Sequence, residues 1–219
     1  MDNQEILDRF DVLYNNIMSN QAPSLDAFEK SVFWNKASLE VLKNHLNPKG
    51  NKYAEGFDFS SKRQIEFSSL VTKEHTYRDG IEDNIVTTID NDKILAILNE
   101  SAVVGSKDSE TNNHTVVVVP INNVEYDTLM SRPYKYPPKS QAWRVIDGVN
   151  QYRIISAETV KEYIIRYVKM PSEVDLNSNI NSELPEVLHD EVLQRAVELA
   201  KNAWEGTLET TQTFGERSE

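Results

Sequence analysis

The sequence predicts an α+β protein in which an antiparallel sheet or meander is combined with two N-terminal helices and one C-terminal helix. Two features of the apolar pattern support this class. Near both ends of the chain, apolar residues recur every three or four positions, which is the spacing of one helix face. In the middle of the chain the period shortens toward two, which is typical of half-buried strands.

Two amphipathic helices are predicted at the N-terminus. The first covers about Gln4–Ser19, and residues 20–23 interrupt it. Ser24 is a suitable N-cap for the second helix, because a serine oxygen accepts a hydrogen bond from a free amide of the first turn. Asp26 then lies near the positive end of the helix dipole. The second helix ends near Leu46, before an Asn-Pro-Lys-Gly sequence.

Asn35 interrupts the apolar face of the second helix. The apolar positions of that face are Leu25, Phe28, Val32, Leu39, Leu42 and Leu46. An Asn in such a face either specifies the register against a partner helix or lies at a solvated edge. The apolar faces of the two predicted helices, here called the helical seams, must be buried against another surface. This pattern favours a protein that is a subunit of an assembly.

The middle of the chain is predicted to be rich in strands. After a loop over residues 48–62, the expected elements are strands at Gln64–Thr72, Asn84–Ile89, Ser101–Lys107 and Thr115–Ile121, with a short helix at about Asn91–Leu98. The run Val116–Val119 is β-branched and precedes Pro120. We therefore expect a buried strand near an edge of the sheet.

A short helix and a three-stranded meander follow in the prediction. Asn122 and Glu125 have the spacing of a capping box, so a helix should run through Met130. Residues 132–138 contain three prolines and should form a stiff extended bridge. The meander consists of Trp143–Asp147 and Gln151–Ser156, which flank a turn at Gly148, and Glu162–Lys169.

The last helix is predicted from near Glu186 to Trp204, after a segment rich in Asn, Ser and Asp. Residues beyond Gly206 are too polar to fold alone. The expected organisation is an N-terminal helical pair (1–47), a mainly antiparallel β region with short helices (48–170), a linker (171–186), a C-terminal helix (187–205) and an extended tail (206–219).

Composition excludes several classes of protein. The 219 residues include no cysteine, which excludes disulfides, thiol nucleophiles and thiolate metal sites and fits a reducing compartment. The net charge of −12 argues against a nucleic-acid clamp, although an acidic wall can let a duplex slide past. The Met-Asp-Asn-Gln-Glu start lacks the pattern of a secretory signal, and we expect no membrane span.

No residue is expected to be catalytic, to hold a cofactor or to bind a metal. The sequence His189-Asp190-Glu191 is a cluster, but neighbouring residues on a helix point in different directions and cannot chelate one ion. Glu74-His75 could supply a general base, yet no nucleophile is marked beside it. With seven glycines, the chain has no phosphate-binding fingerprint, and Gly105-Ser106-Lys107 is an isolated fragment.

Aromatic and basic residues alternate at three places: Tyr134-Lys135-Tyr136, Trp143-Arg144 and Tyr152-Arg153. Such residues can stack on nucleic-acid bases. A half-buried strand produces the same alternation, and we favour that interpretation.

Several stretches, in their order, resemble structural proteins of crAss-like and related tailed bacteriophages. They are Phe10–Ile17, Ala22-Pro23, Phe28–Ser31, Tyr126–Arg144, Arg166–Pro171 and Glu183–Glu191. The resemblance spans nearly the whole chain. The family that it implies is the neck, or ring, proteins, which lie under the portal and join capsid to tail as head–tail connectors or portal adaptors.

The resemblance implies a place and partners. About twelve copies would form a closed ring, in which one face of each subunit complements a different face of the next. The partners would be the portal protein, other neck or tail ring proteins, and DNA that passes through the lumen without specific binding during genome ejection. The protein would be made in the bacterial cytoplasm and located in the virion, with no membrane partner.

Helical seams and the aromatic strand surface are the expected subunit faces. The candidate interface residues are Phe10, Tyr14, Phe28, Val32, Leu39, Tyr134, Trp143, Leu188, Val192 and Trp204. Other interpretations remain open: a capsid auxiliary or tail-barrel protein, a small hydrolase with a scattered site, or a regulatory module whose ligand is the bridge containing Pro137 and Pro138.

Overall fold

The computed structural model describes residues 1–17, 24–46, 67–77, 81–82, 85–86, 90–106, 113–132, 136–178 and 181–216. The chain divides into two compact units. The first, here called the helical unit, consists of Met1–Leu70 and Pro171–Glu219. The second, the β unit, is Val71–Met170. Helices and a mostly antiparallel sheet are both present, which confirms the α+β class.

The described part of the helical unit contains three helices: α1 (Asn3–Ile17), α2 (Ala27–Leu46) and α4 (Glu186–Glu216), numbered in chain order. Their apolar stripes pack together, because α4 contacts both α1 and α2. The fully buried side chains include Ile6, Phe10, Trp34, Leu42, Val192 and Ala196. The helical seams that the sequence predicted are therefore covered largely by the chain itself.

The N-cap of α2 is Asp26 rather than Ser24, so that prediction was wrong. Asp26 Oδ1 accepts a hydrogen bond from the amide of Glu29 at 2.7 Å, and Glu29 Oε2 accepts one from the amide of Asp26 at 3.0 Å. This is a reciprocal capping box. A carboxylate at this position also interacts with the helix dipole, which a serine cannot do.

The sequence suggested that Asn35 faces a partner helix or a solvated edge. In the structure, its side chain instead binds the backbone of the same chain. Its Nδ2 donates to the carbonyl of Val174 and its Oδ1 accepts from the amide of Val174, both at 2.9 Å. Ser31 Oγ likewise accepts from the amide of Leu176 at 2.9 Å. Residues 171–178, expected as part of a linker, are thus fixed on α2, with Val174 and Leu176 buried.

Helix α4 continues beyond the predicted end at Trp204. It reaches Glu216 and so passes through Gly206, where the sequence predicted the start of an extended tail. A glycine in a helix interior costs about 1 kcal/mol relative to alanine, which is small enough for neighbouring helix formers to override.

The β unit contains an eight-stranded sheet in the order β1-β8-β4-β5-β6-β7-β3-β2. The strands are β1 (Val71–Tyr77), β2 (Ile81–Glu82), β3 (Ile85–Val86), β4 (Ile94–Gly105), β5 (His114–Pro120), β6 (Gln141–Gly148), β7 (Gln151–Ile155) and β8 (Thr159–Lys169). All neighbours are antiparallel except β5 and β6, which are parallel. Helix α3 (Asn123–Met130) lies in the crossover that this parallel pair requires.

The predicted three-stranded meander is only partly correct. Strands β6 and β7 form the expected hairpin, but β8 lies between β1 and β4 instead of beside β7. At the hairpin turn Asn150, not Gly148, has a positive φ of 58°. An Asn tolerates this left-handed conformation better than most residues do.

Two predicted elements in the first half of the sheet were wrong. The strand expected at Gln64–Thr72 starts only at Val71, because Phe67–Leu70 form a turn with a hydrogen bond from the Leu70 amide to the Phe67 carbonyl. Asn91–Leu98 is not a helix. A single 3₁₀ turn covers Asn91–Lys93, and the apolar run that follows belongs to β4, whose register shifts obscure the period of two.

Strand β5 lies inside the sheet. Its proline had suggested a position near an edge, and that prediction was wrong. The strand is paired on both sides, by β4 and by β6. Pro120 is tolerated because it is the last residue of the strand. Side chains alternate, with Val116 and Val118 buried and Val117 58% exposed. The predicted strand itself, from Thr115 onward, is confirmed.

The sheet curls so that β2, at one end, lies near β8. One face of the curl forms a continuous core. Its buried members are Val86, Ala102, Val104, Val116, Val118, Ala142, Tyr152, Ile154, Val160, Tyr163, Ile165 and Tyr167. The capping box at the start of α3 is present as predicted, since Asn122 Oδ1 accepts from the amide of Glu125 at 2.7 Å.

Candidate assembly surfaces and buried polar groups

A buried ion pair lies within the core face of the β unit. Arg144 Nε on β6 is 3.1 Å from Glu100 Oε1 on β4, so the pair reaches across β5. The two residues are 9% and 5% exposed. The Tyr163 hydroxyl donates to Glu100 Oε1 at 3.0 Å, and the guanidinium of Arg144 lies over the Tyr152 ring, 4.7 Å from its centre.

Burial dominates the electrostatics of this cluster. It raises the pKa of the Glu100 carboxyl, while the charge of Arg144 and the hydrogen bond from Tyr163 act in the opposite direction. The pKa of the Tyr163 hydroxyl is also raised, first by burial and then by the charge of Glu100. Because the charges of Glu100 and Arg144 are paired with each other and contacted by Tyr163 and Tyr152, the cluster connects four strands and presents no free acid or base.

Glu74 and His75 do not form a catalytic pair. As neighbours on β1 they point to opposite faces of the sheet. Glu74 accepts from the Tyr167 hydroxyl at 3.3 Å, whereas His75 Nδ1 lies 2.5 Å from Glu162 Oε1 on β8. Gly105 ends β4, and Lys107 lies outside the described residues.

The three residues His189, Asp190 and Glu191 diverge, as the helical geometry predicted. His189 is buried and its Nε2 donates to the Leu184 carbonyl at 3.0 Å. Burial lowers the pKa of this imidazole. Asp190 pairs instead with Arg9 at 3.1 Å, and Glu191 lies 3.0 Å from His45 Nε2. Within the described ranges, no three His, Asp or Glu side chains are placed to hold a metal ion.

Two of the three aromatic–basic sequences, Trp143-Arg144 and Tyr152-Arg153, are parts of strands β6 and β7. Arg144 and Tyr152 belong to the buried cluster, and Arg153 pairs with Asp147 at 2.6 Å. Tyr134 and Lys135 lie outside the described residues. No described helix is long and apolar enough to span a bilayer.

Four of the candidate interface residues are buried within the helical unit: Phe10, Tyr14, Leu188 and Val192 are at most 4% exposed. Leu39, Trp143 and Trp204 are half-buried. These four side chains pack within the chain's own core. Tyr134 falls outside the described part of the chain.

Phe28 and Val32 are the candidate interface residues that stand exposed. They are 65% and 49% exposed and lie four residues apart on one face of α2. Two charged residues, Glu29 and Lys36, are also exposed on this side of the helix. We call this surface, formed by Phe28, Glu29, Val32 and Lys36, the α2 stripe.

Helix α3 forms a second exposed surface, which the sequence did not predict as an interface. None of its eight residues is buried, and Val124 and Met130 are 77% and 44% exposed. A shallow, open groove of about 450 Å³ lies on one face of the helix. Its lining residues are Asn122, Val124, Glu125, Thr128, Leu129 and Arg132, and we call it the α3 groove. The sequence signal for it is a capped helix that is too short to be stable without packing.

Comparison with known proteins identifies relatives over the full chain. Residues 1–213 match the family described as "Phage tail ring protein 3/4". A protein named "Ring protein 4/5" from Bacteroides phage crAss001 is 40% identical over 243 aligned residues, which cover all of both chains. A second protein of that phage, named "Ring protein 3", is 24% identical over 218 residues, 91% of this chain and 95% of the relative.

Proposed function

The chain belongs to the phage tail ring protein 3/4 family of crAss-like phages, and we propose that it forms a closed ring of about twelve copies at the neck of the virion, under the portal. The match carries this proposal because it covers both compact units. In this position the ring joins capsid to tail and contacts the portal protein and other ring proteins. The predicted resemblance to phage ring proteins is thereby confirmed.

The charge of the chain supports a passage for DNA. Each copy contributes a net charge of −12, so a closed ring carries a large net negative charge. A like-charged wall repels the phosphates of a duplex and keeps it from adhering. We therefore propose that the lumen continues the DNA channel without binding DNA specifically.

The proposed role is mechanical and does not involve catalysis. The groups best suited to chemistry are committed elsewhere: Glu100 is held by Arg144 and Tyr163, His75 by Glu162, and His189 by Leu184. Catalytic acids and bases need a free position facing a substrate. This commitment favours a structural protein over a small hydrolase.

Cryo-electron microscopy of the phage particle tests the proposal. We expect a ring of this chain around the DNA path between portal and tail. A position on the outer capsid or along the tail tube would instead identify an auxiliary or tail-barrel protein. Absence of the polypeptide from purified infectious particles would contradict the proposal entirely.

DNA binding provides a second measurement. Fluorescence anisotropy with a labelled duplex at physiological salt should show no binding by the purified chain. Micromolar binding that weakens steeply with salt would contradict a non-adhesive lumen, because it would require a basic surface that neutralises several phosphates.

A further inference from the structure

The α2 stripe and the α3 groove are two different exposed surfaces on one chain. In a closed ring, each subunit uses one surface to contact a different surface of its neighbour. From their chemistry we propose that the α2 stripe of one copy docks in the α3 groove of the next copy. This inference rests on the proposed function, since it names the contact by which such a ring closes.

Both surfaces combine exposed apolar side chains with one acidic and one basic residue. Phe28 and Val32 give the α2 stripe exposed apolar area, and Val124 does the same for the groove. Removing exposed apolar area from water favours association. Helix α3 would also gain the packing that a helix of eight residues needs.

The charges of the two surfaces are complementary in order and in spacing. Along α2, Glu29 precedes Lys36 by seven residues; along the groove, Glu125 precedes Arg132 by seven. Along α2, seven residues span about 10 Å and bring a side chain back to the same helix face. Arg132 lies two residues beyond the end of α3 and lines the same groove as Glu125. An antiparallel approach therefore places Glu29 opposite Arg132 and Lys36 opposite Glu125.

These charges are available for a partner. Among the residues that the structure describes, no ion pair is formed by Lys36, Glu125 or Arg132, and all three are exposed. Glu29 uses one carboxylate oxygen to cap its own helix. A second copy fits this pattern better than an unrelated protein, because the chain itself carries both halves of the complement.

Cysteine cross-linking tests the contact directly, because the chain has no native cysteine. The antiparallel alignment places Val32 opposite Leu129, and the adjacent groove residue Thr128 is exposed and suits a cysteine. Chains that carry Val32→Cys, mixed with chains that carry Thr128→Cys and oxidised at the highest soluble concentration, should form mixed disulfide dimers. Each chain carries a single cysteine, so a contact within one chain cannot produce them. Val149→Cys, 89% exposed in the β6–β7 turn, is the control and should not cross-link.

Charge reversal tests the pairing independently. Lys36→Glu and Glu125→Lys should each weaken self-association by at least about tenfold, because like charges then face each other. Both changes in one chain should restore association to within about threefold of the wild type. Asp127→Lys is the matched control on α3, since Asp127 is exposed but does not line the groove. Mass photometry measures the assembled fraction in each case.

The outcomes separate this inference from the proposed function. If wild-type rings form but Val32→Cys and Thr128→Cys do not cross-link, or Val32→Cys links only to itself, the inference is overturned while the ring remains. If a ring protein of another sequence cross-links to the groove in the virion and this chain does not, the assigned occupant is wrong. Mixed disulfides together with recovery by the double reversal support the inference.

Discussion

At the residue scale, the ion pair of Glu100 and Arg144 is the most demanding feature of the β unit. Both groups are almost completely removed from water, and the attraction between them offsets part of the cost of burying them. Such a pair does not necessarily increase stability. It does make the native arrangement of β4 and β6 intolerant of losing one partner, because the other charge would remain buried.

Removing one member of this pair should destabilise the chain strongly. We expect Glu100→Ala to lower the free energy of unfolding by about 3–5 kcal/mol, since it leaves the Arg144 charge buried without compensation. The double replacement Glu100→Met with Arg144→Met should be close to neutral. Urea denaturation measures both.

The exposed pair of Asp147 and Arg153 supplies a control for this prediction. Asp147→Ala should cost less than about 1 kcal/mol, because the pair is partly solvated. If Glu100→Ala and Asp147→Ala lowered the free energy of unfolding equally, burial would not be the reason for the large effect expected at Glu100.

The pKa of Glu100 leads to a prediction about pH. Because burial raises this pKa in the folded state, folding favours the protonated carboxyl. The contribution is fully present below the ordinary pKa of 4.5 and is lost as the pH rises through the raised value. Relative to Glu100→Gln, the wild type should therefore lose stability as the pH increases from about 4 to 8. The opposite slope in urea denaturation would show that the attraction of Arg144 outweighs burial.

At the element scale, the start of α2 distinguishes two candidate caps. Asp26→Ala should cost about 1 kcal/mol, because it removes the hydrogen bond to the Glu29 amide and a favourable charge at the helix end. Ser24→Ala should change the free energy of unfolding by less than about 0.5 kcal/mol, as expected of an exposed surface position. Thermal denaturation compares them. A larger decrease in the free energy of unfolding for Ser24→Ala than for Asp26→Ala would show that Ser24 is the N-cap, as the sequence suggested.

The elements that local rules determine were predictable from sequence. Helices α1 and α2, the capped helix α3 and the β6–β7 hairpin follow from apolar spacing and from capping or turn residues. The helix predicted at Asn91–Leu98 failed because bulges in β4 place Ile94 and Ile97 without a period of two, and a continuous apolar run is ambiguous between helix and strand. The position of β8 failed because strand order depends on distant partners, here β1 and β4.

The assembly surfaces were only partly predictable, for a related reason. Apolar spacing identifies which face of a helix is covered but not what covers it. Phe10 and Phe28 have the same signal in the sequence, yet Phe10 is in the core and Phe28 is 65% exposed. The α3 groove escaped prediction because its residues are mostly polar, and a short capped helix does not by itself show that its face stays exposed.

At the scale of the whole molecule, the β unit is a continuous segment inserted into the helical unit. The helical unit is built from residues before Val71 and after Met170. The two ends of the β unit are adjacent, since Val71 is paired with Val168 across β1 and β8. Segments whose ends lie close together can be inserted into another unit without distorting it.

This topology predicts that the β unit folds without the rest of the chain. A fragment of residues 71–170 retains all eight strands and the core face of the sheet. It should therefore give a β-rich circular dichroism spectrum and unfold cooperatively in urea. A fragment of residues 78–170 is the matched control: it lacks β1, exposes the edge of β8 and should aggregate or lose cooperativity. If residues 71–170 alone were unfolded, the sheet would depend on the helical unit, and the inserted segment would not be a folding unit of its own.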